Sequence, residues 1–210
     1  MVRRIYMTKL YLVRHGQTEW NIIGRIQGWG NSDLTQEGID SAVLLGERLR
    51  NTDFDIAFSS PTKRAIDTTR LILRDRNVEI KEEPDLRELG YGSWDGEFLK
   101  NIRDSEEFIE YKRNPALYKA ENGGETFLQL QKRTVSAINR IISDYKSGNV
   151  LIVSHAVALR SIMLYFENLP IDKIWDIPPI RNTSMTLIET DGKNSKIILY
   201  GDISHLKENV

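Results

Sequence analysis

The chain has no cysteine among its 210 residues. That excludes disulfides, thiol nucleophiles and thiolate metal ligands. It also lacks a surplus of either charge: the formal net charge is -1, so no global field draws it to nucleic acid or to an anionic membrane, and any attraction for phosphate has to be local. No apolar run approaches membrane-spanning length. Residues 1–7 are basic without the apolar stretch of a signal peptide, so a cytoplasmic setting is expected. Met7 is an alternative start, with the residues before it peripheral to the fold. Repeats and low-complexity segments are missing as well. What is present, 40% hydrophobic and 28% charged residues, is the balance of a globular chain able to bury a sizeable core. One domain over residues 1–210 is expected.

Strand and helix signals alternate, which predicts a three-layer α/β/α sandwich around a mostly parallel central sheet. Leu10-Tyr11-Leu12-Val13 reads as a buried strand. A glycine-rich loop follows over residues 21–33, then a helix from an N-cap at Thr35 to about Leu49. Residues 55–58 read as a second strand; Ser60 as N-cap and Pro61 at the first helical position open the next helix. Val78-Glu79-Ile80 reads as a third strand. Residues of about 94–124, rich in aromatics and charges, break the alternation and read as a small helical cap insertion. An amphipathic helix then starts behind an N-cap at Thr126, carries Phe127, Leu130, Ile138 and Ile141 on one stripe, and stops at Gly148. Residues 150–153 form the most apolar strand, followed by a helix over 156–166 and a hairpin of 184–189 with 195–200.

In open α/β sheets ligands bind just past the carboxyl ends of the strands. Arg14 and His15 stand at the end of the first strand, Arg64 one short turn after the second, and His155 at the end of the strand of residues 150–153. Glu88 lies on the loop after the third. Two arginines suit an anionic substrate, most naturally a phosphate. A histidine in that place is a base, a metal ligand or a nucleophile.

Leu12-Val13-Arg14-His15-Gly16 followed by Thr18-Glu19-Trp20-Asn21 resembles the signature of the histidine phosphatase superfamily, the phosphoglycerate mutase-like enzymes. The likeness continues through Ser59-Ser60-Pro61 with Arg64-Ala65, Glu88 to Gly96, Gly123-Gly124-Glu125-Thr126 and Val153-Ser154-His155. The resemblance implies a phosphoglycerate mutase-like fold. It implies His15 as a nucleophile that becomes phosphorylated, with Arg14, Arg64 and His155 as the phosphate clamp and Asn21 as a further contact. Glu88 is implied to protonate the leaving oxygen and then activate water; Glu83, Asp85 and Asp95 are neighbouring carboxylates able to do similar work. Gln27 and Gly28 lie near the pocket in relatives. The nucleophilic nitrogen of His15 must be unprotonated, so its other nitrogen should donate to a fixed acceptor. No metal and no cofactor is implied.

Two positions depart from the usual pattern: Gln17 stands where glutamate is common, and Ala156 where many relatives have glycine. The leading reading is a metal-independent phosphatase acting on small phosphomonoesters, as monomer or homodimer. Gly24 to Gly28 resembles the phosphatase branch, and no Gly-Asn follows His155 as it does in mutases. The segment around Trp175 and Asn182 resembles metal-independent phosphoserine phosphatases. The alternative is a 2,3-bisphosphoglycerate-dependent phosphoglycerate mutase; a non-catalytic phosphate-binding module is the third reading. Tyr91 and Trp94 are placed at the entrance, Lys112-Arg113 on a solvated face, and His205 in a structural role.

Overall fold

The computed structural model describes residues 7–206; the expectation about residues ahead of Met7 falls outside them. Six strands form one sheet: β1 (Thr8–Arg14), β2 (Ile56–Ser59), β3 (Ile80–Glu82), β4 (Gly148–Ser154), β5 (Met185–Thr190) and β6 (Ser195–Asp202). Their order is β3-β2-β4-β1-β5-β6. The first four run parallel, β5 is antiparallel to β1, and β6 completes the hairpin.

The apolar runs explain why β1 and β4 lie at the centre. Leu10, Leu12, Val150 and Ile152 face one core, Tyr11, Val13, Leu151 and Val153 the other. Strands buried on both faces are what a parallel sheet demands. Helices α2 (Gln36–Arg48) and α3 (Lys63–Leu73) cover one face through Ala42, Leu45 and Ile72. Helices α6 (Phe127–Asp144) and α7 (Ala156–Glu167) cover the other through Leu130, Ile138 and Ile162. The fold is thus the three-layer sandwich. Parallel registers pair Arg14 with Ser154 and Ser59 with Val153, so the residues following β1, β2 and β4 emerge together at one edge.

Between β3 and α6 the chain forms only short helices, among them α4 (Leu99–Ile102) and α5 (Glu106–Arg113). Tyr111 sits 5.0 Å from Phe127 and 5.3 Å from Tyr118, centroid to centroid, and Trp94 packs at 5.6 Å from Phe108. Phe127 is fully buried; such a side chain contributes about 1.5–3 kcal/mol. Helices this short do not persist on propensity alone, so the aromatic cluster holds the segment together. Trp94 belongs to that cluster, and only Tyr91 of the expected entrance pair reaches the cavity described below.

Several boundaries differ from the sequence reading, each for a local reason. The loop after β1 contains α1 (Glu19–Ile23), closed by a reciprocal cap in which Thr18 accepts from the Asn21 amide and Asn21 Oδ1 accepts from the Thr18 amide. Strand β3 begins at Ile80 instead of Val78 because its partners on β2 are Ala57 to Ser59; Lys81 and Glu82 are exposed at this sheet edge and give no apolar period. Gly148 does not end α6, which stops at Asp144. It opens β4 at φ 96°, where a Cβ would stand 2.1 Å from the Asp55 carboxylate, a place only glycine fills. Helix α3 starts at Lys63, so Thr62 instead of Ser60 holds the N-cap position, Pro61 lies ahead of the helix, and no side chain caps it. Among the described residues no helix is long and apolar enough to cross a membrane.

Candidate active site

The edge of β1, β4 and the segment after β3 encloses a cavity of about 260 Å³. Arg14, His15, Asn21, Gln27, Glu88 and Tyr91 line its inner part. His15 follows β1 on a tight turn. A Cβ on Gly16 would lie 2.7 Å from the Gly38 carbonyl oxygen, so glycine alone lets this turn press against the start of α2. His15 Nδ1 donates to the Gly16 carbonyl at 2.7 Å. A carbonyl can only accept, so the proton sits on Nδ1 and Nε2 carries the lone pair. Burial, then the Arg64 and Arg14 charges, hold the His15 pKa well below its ordinary value. The imidazole is therefore neutral at physiological pH, and the fixed acceptor anticipated from sequence is a main-chain oxygen.

Glu88 is almost completely buried. Its Oε1 accepts from the amides of Leu89 at 2.8 Å and Ala158 at 3.0 Å, and its Oε2 from Val157 at 3.1 Å. Two of those donors belong to the first turn of α7, whose amides have no helical carbonyl to bond. The loop bearing Glu88 is gathered by one guanidinium. Arg133 donates to the carbonyls of Asp85 at 2.7 Å, Arg87 at 2.7 Å and Glu88 at 2.8 Å. It also holds Glu125 in a two-pronged ion pair at 2.7 and 2.8 Å. Of the neighbouring carboxylates, Asp95 is spent on the amides of Gly28, Trp29 and Gly30, and Glu83 and Asp85 on Arg140.

Arg64 and His155 are both fully buried and form the layer behind His15, outside the cavity lining. The two imidazole centroids are 5.1 Å apart. Arg64 donates to the carbonyls of Gly30 at 2.7 Å and Gly28 at 2.6 Å, and to His155 Nδ1 at 3.1 Å. Burial lowers its pKa to about 10, which leaves it charged. Because Nδ1 accepts, His155 carries its proton on Nε2 and donates to Ser60 Oγ at 2.7 Å. Gly28 likewise stays behind the cavity, its carbonyl taken by Arg64 and its amide by Asp95.

Arg14 lines the cavity and anchors itself by donating to the Ile180 carbonyl at 3.0 Å. Asn182 donates to the His15 carbonyl at 3.0 Å and to Asn21 Oδ1 at 3.3 Å. With Oδ1 also accepting from Thr18, the Asn21 amide NH2 remains as a donor at the cavity. Gln27, also at the wall, accepts from Thr18 Oγ1 at 2.8 Å and donates to Ser32 Oγ at 3.0 Å. Thr62 and Arg133 are supporting residues that sequence reasoning did not single out; Ser60 reads there as an N-cap and Asn182 only as part of a segment resembling phosphoserine phosphatases. The hydroxyl-rich Ser59-Ser60-Pro61-Thr62 run was the one available signal; Ser60 and Thr62 turn toward His155 instead of capping α3. Lys112 is exposed, as expected of a solvated face, and it also lines the outer cavity against Trp175. His205 lies outside the cavity, buried near Thr183, with burial lowering its pKa to about 4. Among the described residues no group of three His, Asp or Glu side chains converges as a metal site requires.

The two neutral imidazoles give a pH dependence of stability. Burial is the leading cause that lowers both folded-state values below the ordinary 6.5. The unfolded chain then binds more protons below that pH, and stability falls as pH drops through 6.5. By pH 5 each histidine removes up to about 2 kcal/mol. Urea midpoints measured at pH 7.5 and 5.0 check this; equal midpoints refute the neutral, buried assignment.

A sequence model of the histidine phosphatase superfamily (branch 1) matches residues 10–203. The metal-independent phosphoserine phosphatase of Arabidopsis thaliana is 34% identical over 95% of this chain and 84% of that protein. The 2,3-bisphosphoglycerate-dependent phosphoglycerate mutase of Cytophaga hutchinsonii is 34% identical over 78% of this chain and 79% of that protein. Among solved structures, Bacillus stearothermophilus YhfR superposes with a TM-score of 0.91 at 36% identity, covering 95% of this chain and 100% of that one.

Proposed function

Because the chain belongs to the histidine phosphatase superfamily, we propose that it is a metal-independent phosphomonoester phosphatase that works through a phosphohistidine on His15. The observation that carries the reading is the fixed Nδ1–H of His15, which leaves Nε2 unprotonated in a cavity that also holds Glu88 and Arg14.

In this mechanism His15 Nε2 attacks phosphorus, the ester P–O bond breaks, and the leaving oxygen takes the proton from Glu88. Water then attacks the phosphohistidine, its proton passes to the Glu88 carboxylate, and the P–N bond breaks to release orthophosphate. Splitting one displacement into two lowers each barrier. Charge on the equatorial oxygens is met by Arg14 and the Asn21 amide at the cavity, with Gln27 beside them. Arg64 and His155 supply positive potential and hydrogen-bonding capacity one layer behind, with Gly28 holding Arg64 in place. The near-neutral net charge supports a small-molecule substrate. A cytoplasmic monomer or homodimer completes the reading.

The test is phosphate release from a panel of monoesters, with and without chelator, beside interconversion of 3- and 2-phosphoglycerate with 2,3-bisphosphoglycerate added. Chelator-resistant release with negligible interconversion is expected. Efficient interconversion with little free phosphate makes the chain a mutase. Neither activity favours a binding module.

The Arg133 clamp yields a further prediction. Arg133→Lys loses the planar fork that collects three carbonyls and Glu125. Misplacing Glu88 in this way should lower kcat on alkyl phosphates by about 10–100-fold. Formation of the phosphoenzyme from 4-nitrophenyl phosphate, whose leaving group needs no proton, should change far less. Equal losses on both substrates would show a general structural defect instead.

A further inference from the structure

The outer half of the cavity differs in chemistry from the inner half. Ile26, Leu99, Phe108, Tyr111 and Trp175 wall it, and Lys112 is the one charged group there among the described residues. Lys112 Nζ stands 3.6 Å from the Trp175 ring centroid. Trp175 is itself pinned, its Nε1 donating to the Tyr111 carbonyl at 3.2 Å. The Lys112 ammonium takes part in no ion pair among the described residues. Arg160 approaches the same indole, at 5.3 Å. Its charge acts on Lys112 and on Arg14 alike, so positive potential extends from the phosphoryl end toward the rim.

Among the described residues Glu88 is the sole carboxylate lining the cavity, and the phosphatase reading, on which this inference rests, uses it at the inner end. A leaving group that bears an ammonium finds no counter-charge in the outer half. One that bears an anion finds Lys112. The aromatic and aliphatic wall adds a second requirement, because covering it with an apolar body is favourable by about 25 cal/mol per Å².

We propose that the leaving group accepted by this cavity is an aromatic or otherwise apolar alcohol carrying a carboxylate, the carboxylate lying against Lys112 and the body against Trp175, Phe108 and Leu99. Phosphoserine, the substrate in the Arabidopsis relative's name, has the carboxylate but brings an ammonium and no apolar body. It should be a poor substrate here.

Initial rates with phenyl phosphate, 4-carboxyphenyl phosphate, 4-(aminomethyl)phenyl phosphate and O-phosphoserine test this on the full chain. The expected kcat/KM for the carboxyphenyl ester exceeds that for the aminomethyl ester by about tenfold, the attraction of one exposed ion pair added to a repulsion of similar size. O-phosphoserine falls below phenyl phosphate. In Lys112→Met the ratio of the two charged esters collapses toward one, and in Lys112→Glu it inverts. Lys112 is exposed on α5, so both variants should fold, as a thermal melt verifies. A wild-type ratio near one, a preference that survives Lys112→Glu, or O-phosphoserine as the best substrate would overturn the proposal. Release from none of the four esters would overturn the phosphatase reading beneath it.

Discussion

His15→Ala should abolish turnover, lowering kcat by about 10⁴-fold or more, the scale on which removal of a covalent nucleophile registers. The reasoning is specific to this imidazole. Its Nε2 is the one ring nitrogen at the cavity with a free lone pair; His155 has Nδ1 engaged by Arg64 and Nε2 donating to Ser60. His155 therefore cannot take over without releasing both partners. Ground-state binding should survive, since Arg14 and Asn21 remain. The decisive measurement is labelling with substrate carrying radioactive phosphorus, quenched in alkaline detergent. A phosphoramidate label, stable to alkali and lost in acid, should appear on wild type and be absent from the alanine variant. Label on another residue, or unchanged turnover without His15, would end the phosphohistidine mechanism.

Glu88→Gln should divide the reaction by leaving group. For alkyl phosphates, which need a proton on departure, kcat should fall by about 10²–10⁴-fold. For 4-nitrophenyl phosphate the first displacement should persist, giving a burst of nitrophenol followed by slow release, because water still lacks its base. Rapid-quench traces distinguish the two regimes. The substitution carries a stability cost that has to be measured beside the rates. The Glu88 oxygens accept three main-chain amides; a carboxamide nitrogen cannot accept, so at least one amide loses its partner at about 1–3 kcal/mol. A variant that retains full activity on alkyl phosphates would remove Glu88 from the mechanism.

Of the residues behind these two predictions, His15 could be read from the chain because it is local to a strand end, whereas Glu88, on the loop beyond β3, was legible only through the family motif. A buried run followed by Arg14-His15, or by Ser154-His155, announces its own position, and the parallel sheet then brings the ends together. The alternation that yields the sheet is equally local. The supporting layer is not. Arg133 reaches loop carbonyls 45 to 48 residues earlier in the chain, and carbonyls leave no mark in a sequence. Lys112 meets Trp175 only because α5 and the segment after α7 converge on the cavity. Ser60 illustrates a competition: a good N-cap type before a proline, it gives its hydroxyl to His155 instead, and only the three-dimensional neighbour decides. Arg64 shows a further gap. Its sequence position identifies the pocket, while its burial behind His15 follows from the Gly28 and Gly30 carbonyls that draw it back.

Strand order has a consequence for how the chain comes off the ribosome. β1 is translated first, yet both of its neighbours, β4 and β5, lie about 140 or more residues further along. At about 5–20 residues per second, an apolar strand with two open edges waits roughly 7–28 s for its first partner. His15 waits with it, so no shorter nascent chain has a working site. The segments translated in between, from α2 to α6, cannot satisfy β1 themselves. Nascent chains halted before β4 should therefore be the species that aggregates or recruits chaperones, and the slowest step of maturation should be the arrival of β4 between β1 and β2.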